Sequence, residues 1–220
     1  MITHHPKKEI LLDYAAGALG EGPALAVASH AALCRECAEQ IEMLEALGGA
    51  LLEEVTPAPV SDMLLEQTLA MLDEPEPAMV AAAQIDAETA AQVPEPLLRY
   101  IGRGLAHLAW RRVGGIVAAV EEVRLPVAAK NVKVSLMRLK AGSLMPRHSH
   151  RGNEFTLVLA GGFSDGGNQY GPGDFVAKDP SHTHQPVVDD DGECLCLVVL
   201  DAPLRLTGAM GKLINPFLRI

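Results

Sequence analysis

Apolar positions in the first third of the chain recur with helical spacing. "EILLDYAAGAL", from residue 9, reads as a short helix with one apolar face. "EGPALAVASHAALCRECAEQIEMLEALGGALLEE" follows, rich in the helix formers Ala, Leu and Glu, and predicts one long helix. "TPAP" at 56–59 ends it, because proline cannot continue the hydrogen-bond ladder. A further helix is predicted from a cap at Ser61 or Asp62, with Leu65, Leu69 and Leu72 at i, i+4 and i+7. From Asp73 to Pro96 the text becomes proline, alanine and acids. That composition buries little and predicts a linker, with room for a short helix near Ala81 to Ala91.

The period then changes. "VKVSLMRL", "FTLVLAG", "DFVAK" and "CLCLVVL" are short apolar or β-branched runs, separated by turn-forming stretches such as "GGNQYGPGD" and "DDDGE". Such strands predict an antiparallel sandwich or barrel. The expected organisation is therefore an α + β chain of two domains: a small helical bundle over residues 1–75, a linker over 76–96 and a β-domain over 97–220.

Composition narrows the function classes. A net charge of −10 argues against direct nucleic-acid binding and fits a basic partner. No run approaches the ~20 apolar residues of a membrane helix, and the N-terminus lacks the pattern of a signal peptide, so the reading is cytoplasmic. The four cysteines fall into two close pairs, "CREC" and "CLC". In a reducing compartment such pairs point to metal or redox chemistry before disulfides.

His30, Cys34 and Cys37 are spaced i, i+4 and i+7, which on one continuous helix puts them in one stripe. Two thiolates and an imidazole supply three corners of a tetrahedral zinc site. His4 and His5, just before the first helix, are the candidates for the fourth. Four protein ligands leave no open position, so such a site is structural. The alternatives are that the cysteines are packing groups, or a redox pair, which no βαβ pattern supports.

These residues carry a resemblance. "HH…LLDYAAGAL…ASHAALCRECAEQIEMLEALGGALLEE" resembles the zinc-binding domain of ChrR-type anti-sigma regulators, with the H-x3-C-x2-C motif. The resemblance implies His5, His30, Cys34 and Cys37 as zinc ligands. It also implies that these helices, with the one at 61–72, grip an extracytoplasmic-function sigma factor in a one-to-one complex and occlude its polymerase-binding surfaces.

The β-half holds a second constellation. His148 and His150 are two apart, so on a strand they share a face, and Glu154 returns to it if the chain bends at 151–153. With Gly142 and Gly161 the spacing resembles the first cupin motif at every defined position. "PGDFVAKDPSHTHQP" resembles the second, which supplies one more histidine. Spacing does not choose between His182 and His184; the ChrR-like pattern implies His184. The fold implied is a cupin-like antiparallel β-barrel. Three histidines and a glutamate suit zinc, iron, manganese, nickel or copper.

The tail "LDAPLRLTGAMGKLINPFLRI" also resembles ChrR-type proteins, so the likeness spans nearly the whole chain. It implies a non-enzymatic transcription regulator whose barrel senses singlet oxygen or peroxide-type stress and triggers sigma release, with a protease as a further partner. Alternatives are a metal-dependent cupin dioxygenase or isomerase with a helical accessory domain, and a small-ligand-binding cupin. Cys194 and Cys196 alternate on one strand; they read as packing groups, with an oxidisable pair as the alternative.

Overall fold

The computed structural model describes residues 1–72, 85–113, 120–129 and 131–207. Among these residues six α-helices come first: α1 (Lys8–Ala15), α2 (Glu21–Ala31), α3 (Arg35–Glu53), α4 (Leu64–Leu72), α5 (Ala87–Gln92) and α6 (Glu95–Ile101), with a 3-10 turn at Leu105–His107. Twelve strands follow: β1 (Arg111–Val113), β2 (Val120–Arg124), β3 (Lys133–Leu139), β4 (His148–His150), β5 (Glu154–Ala160), β6 (Phe163–Asp165), β7 (Asn168–Tyr170), β8 (Phe175–Lys178), β9 (Thr183–His184), β10 (Val187–Val188), β11 (Cys194–Leu200) and β12 (Leu204–Leu206).

The strands form a six-stranded sheet in the order β1-β2-β3-β11-β5-β8 and two three-stranded sheets, β10-β6-β7 and β12-β4-β9. All the pairings are antiparallel. Strand β11, inside the large sheet, is buried on both faces, which explains why it reads as an unbroken apolar run rather than an alternating one. Leu195, Leu197 and Val199 join the core formed with the helices. Cys194, Cys196, Val198 and Leu200 face the barrel interior.

Helix α2 lies against this sheet and is apolar on nearly every side, as a helix buried between two layers must be. Its Gly22 allows the close approach: a Cβ there would sit 2.8 Å from Val132 Cγ1 and Val134 Cγ2. Leu197, fully buried at the centre of this contact, tests the layering. Leu197→Ala should cost ~2–5 kcal/mol of stability by chemical denaturation. A loss below ~1 kcal/mol would mean that the helices do not rest on β11 in solution.

Two expectations need correction. The long helix from residue 21 is broken. α2 ends at Ala31, Cys34 is extended (φ −116°, ψ 102°), and α3 starts at Arg35. His30, Cys34 and Cys37 therefore sit at a helix–helix corner, not on one helical stripe. The second concerns the stretch expected to bury little. Its residues 73–84 lie outside the described ones, but the rest is packed. Asp86 caps α5 by accepting from the Thr89 N–H (2.8 Å), and Thr89, Val93 and Leu97 are buried. Val93, Leu97 and Ile101 recur at helical spacing although two prolines interrupt the text. The cap expected at 61–62 is Ser61: its Oγ accepts the Met63 N–H (3.3 Å) and its carbonyl the Leu64 N–H (2.9 Å), and α4 follows from Leu64.

Candidate metal centres

The corner between α2 and α3 brings His30, Cys34 and Cys37 together with His5 from the N-terminal segment, all four donor atoms lying within 4.8 Å of one another. His30 lies in the last turn of α2 and Cys34 occupies the N-cap of α3, so Cys37 falls in the first helical turn. His5 Nδ1 is 3.3 Å from Cys34 Sγ and 3.4 Å from Cys37 Sγ, and His30 Nε2 is 3.3 Å from Cys37 Sγ. A tetrahedron built on zinc bonds of about 2.0–2.3 Å has edges of roughly 3.3–3.8 Å, so these separations fit a four-coordinate zinc ion.

Electrostatics agree with a metal-ready cluster. Burial lowers the His30 pKa to about 4, so its imidazole is neutral and free to donate a lone pair. The His30 Nδ1–H donates to the Gly173 carbonyl (2.8 Å), which leaves Nε2 as the ligand nitrogen. Burial, with Cys34 as a hydrogen-bonding neighbour, pushes the Cys37 thiol up to about 12. Without a cation the Cys37 thiol stays protonated; metal capture would release that proton.

The second cluster lies in the barrel. β4 places His148 and His150 on one buried face, β5 begins with Glu154 after the bend at 151–153, and β9 pairs with β4 to set His184 opposite His148. Their donor atoms also lie within 4.8 Å of one another. His150 Nε2 faces His184 Nε2 at 2.9 Å. His150 Nδ1 is buried without a hydrogen-bond partner; Glu154 Oε2 is 3.3 Å away but not aligned as an acceptor. Convergent imidazoles with an orphaned nitrogen and a carboxylate are what a cation would reconcile. Burial lowers the pKa of both His150 and His184, the latter to about 4, so both are neutral.

The residues behind the ligands fix their ring orientations. The His148 Nδ1–H donates to the Pro146 carbonyl (2.7 Å), turning Nε2 to the cluster. The His184 Nδ1–H donates to Asp165 Oδ2 (3.0 Å), which also pairs with Lys178 Nζ (2.9 Å). Burial alone would raise the Asp165 pKa, but the hydrogen bond from Lys178 and the nearby His184 outweigh it and hold it low. Sequence reading missed Asp165. Its only sequence signal is a carboxylate among glycines, which looks like any turn.

The structure separates the two candidate histidines of the second motif. His184 is in the cluster, whereas His182 is 45% exposed and pairs with Asp179 (2.9 Å). Cys194 and Cys196 are buried with their sulfurs 3.4 Å apart. They line a largely apolar cavity of about 90 Å³ with Met137, Met145, His148 and Glu154, next to the barrel cluster. The nearby thiol of Cys194 and burial raise the Cys196 pKa, which keeps that thiol protonated. The described part of the C-terminal tail ends with β12, which pairs with β4 behind the histidines; residues 208–220 lie outside the described ones.

Comparison with known proteins gives three findings. The family description of the ChrR cupin-like domain matches residues 105–202. The anti-sigma-E factor ChrR of Cereibacter sphaeroides is 38% identical over 219 residues, which span all of this chain and 99% of that protein. A crystal structure of Rhodobacter sphaeroides SigE in complex with the anti-sigma ChrR contains a chain that superposes with a TM-score of 0.76 at 36% identity, covering 91% of this chain and 100% of that one.

Proposed function

Since the chain belongs to the family of ChrR anti-sigma factors, we propose that it binds one extracytoplasmic-function sigma factor, one to one, and withholds it from core RNA polymerase. The family is one of regulators rather than enzymes. Among the described residues no helix is long and apolar enough to cross a membrane. We place the protein in the cytoplasm, where sigma factors act.

One observation carries the reading. The solvent side of α3 and the length of α4 both expose large apolar side chains. Met43, Leu47 and Leu51 recur at i, i+4 and i+8 along α3, and α4 buries no residue although Leu65, Leu69 and Leu72 lie on it. Isolated apolar side chains are ordinary on a protein surface, but an extended set on two successive helices indicates a partner. The zinc corner begins α3 and so sets its direction. In a transcription assay, adding the chain to its cognate sigma factor before core polymerase should suppress promoter-specific transcripts. Undiminished transcription at excess chain would reject the proposal.

We assign His5, His30, Cys34 and Cys37 to a structural zinc, which supplies four bonds where the small bundle has a modest core. We assign His148, His150, Glu154 and His184 to zinc or another divalent transition metal. There four donors leave coordination positions open for metals that prefer five or six ligands. The cavity beside it is lined by methionine and cysteine sulfur, which oxidants attack. We infer that the barrel senses singlet oxygen or peroxide-type stress and triggers sigma release, with residues 1–75 as the gripping unit and 97–220 as the sensing unit. His148→Ala or Glu154→Ala should therefore leave sigma binding close to wild type while slowing oxidant-induced release. If His148→Ala abolished binding as completely as loss of the N-terminal cluster, this division of labour would fail.

A further inference from the structure

Two of the four residues in the N-terminal cluster are held by the barrel half of the chain. His30 is held directly, through its bond to the Gly173 carbonyl (2.8 Å). His5 is held through its neighbours. Asp174 Oδ1 accepts the backbone N–H groups of Thr3 (2.7 Å) and His4 (2.9 Å), and the Phe175 N–H donates to the His4 carbonyl (2.9 Å). The His4 ring packs on Tyr170, with centroids 4.4 Å apart. Asp174 is only 3% exposed, and its Oδ2 closes the turn by accepting from the Gly171 N–H (2.9 Å). Gly173 must be glycine here: its φ is +89°, and Ile2 lies where a Cβ would go.

We propose that Gly173 and Asp174, in the turn that opens β8, are positioning residues for the N-terminal zinc site, so that the barrel half sets the geometry of the zinc ligands in the helical half. The chemistry is that of any outer shell around a metal. A carbonyl fixes the tautomer and ring angle of His30, and a carboxylate pins the segment that delivers His5. The same strand ends at Lys178, which holds the Asp165 carboxylate behind His184. β8 thus contacts the outer shell of one cluster at each end, and its displacement is felt at both.

The test is the rate at which full-length protein gives up zinc to a chromogenic chelator, with metal content of both sites measured beforehand. Asp174→Ala should release the N-terminal zinc about 10- to 100-fold faster than wild type. Asp174→Asn, which keeps one acceptor oxygen, should fall between the two. Glu21→Gln is the control. Glu21 also bridges the helical and barrel halves, accepting from Tyr100 Oη (3.0 Å) and the Ala128 N–H (2.6 Å), but touches no ligand. It should release zinc at the wild-type rate. In cobalt-substituted protein the thiolate–cobalt absorption should shift in both Asp174 variants and not in Glu21→Gln. If Asp174→Ala does not fold, Asp174→Asn decides alone.

Wild-type release rates and spectra in the Asp174 variants would overturn the proposal. So would an equal effect of Glu21→Gln, because loosening of the two halves would then suffice. The inference rests on the zinc assignment made above. Wild-type protein lacking zinc at this cluster would overturn that assignment and the proposal together. A zinc-loaded wild type with indifferent Asp174 variants would overturn only the proposal.

Discussion

Cys37→Ser is expected to empty the N-terminal zinc site and abolish sigma-factor binding. Serine is nearly isosteric with cysteine, but its hydroxyl does not ionise to a ligand at neutral pH, so the site drops to three donors. The side chain is 1% exposed, and the new hydroxyl would face the His5 and His30 imidazoles as a neutral group, not as a thiolate ligand. The energetic scale decides the outcome. Binding of structural zinc contributes ~10–16 kcal/mol to small folded units at neutral pH, whereas whole domains are stable by only ~5–15 kcal/mol. Losing even a third of the first figure, about 3–5 kcal/mol, removes a large share of the second. The corner between α2 and α3 would open, and with it the direction in which α3 presents Met43, Leu47 and Leu51. Three readouts should move together: zinc content falls by one equivalent, helical circular dichroism decreases, and the variant no longer co-elutes with the sigma factor. A variant that loses zinc but binds like wild type would show that the metal does not organise the binding surface.

The second large effect is expected at the surface itself. Leu51 is 62% exposed on α3 and Leu69 is 52% exposed on α4. Substitution by aspartate should barely affect the free protein, because exposed positions away from special features change stability by about 0.5 kcal/mol or less. In the complex the same carboxylate would be stripped of water with no partner, at a cost of several kcal/mol. A loss of ~2 kcal/mol, the threshold for an interface hot spot, corresponds to a roughly 30-fold weaker Kd. Leu51→Asp and Leu69→Asp should each weaken binding by at least that factor in calorimetry while retaining zinc and the wild-type denaturation midpoint. Affinities within threefold of wild type for both would place the sigma surface elsewhere.

Parts of this architecture are legible in the text because local chemistry dictates them. Strands β3, β5, β8 and β11 coincide with the four apolar runs, since a largely buried strand needs no alternation to be seen. His148 and His150 share a face for the same elementary reason that any i, i+2 pair on a strand does. Where reading fails, the missing information is tertiary. Nothing in "SHAALCREC" warns of the break at Cys34: it contains neither glycine nor proline, and alanine and leucine favour helix. The four residues therefore meet at a corner, where the spacing predicted one stripe. The strands β1, β6, β7, β9, β10 and β12 are two or three residues long, too short for any periodicity to register. The packing of α5 and α6 is hidden by prolines that look like linker punctuation. Asp165 and Asp174 gain their roles only from residues far along the chain, His184 and Lys178 in one case, Thr3 and His4 in the other.

The central claim is that this chain is a zinc-dependent inhibitor of one sigma factor. Co-expression of the full chain with its candidate sigma factor, followed by size exclusion and metal analysis of the peak, tests it most directly. The account predicts a one-to-one complex carrying zinc, with the zinc lost and the complex gone in Cys37→Ser. A chain that elutes alone, with iron or manganese in the barrel and no zinc at the helical corner, would contradict it.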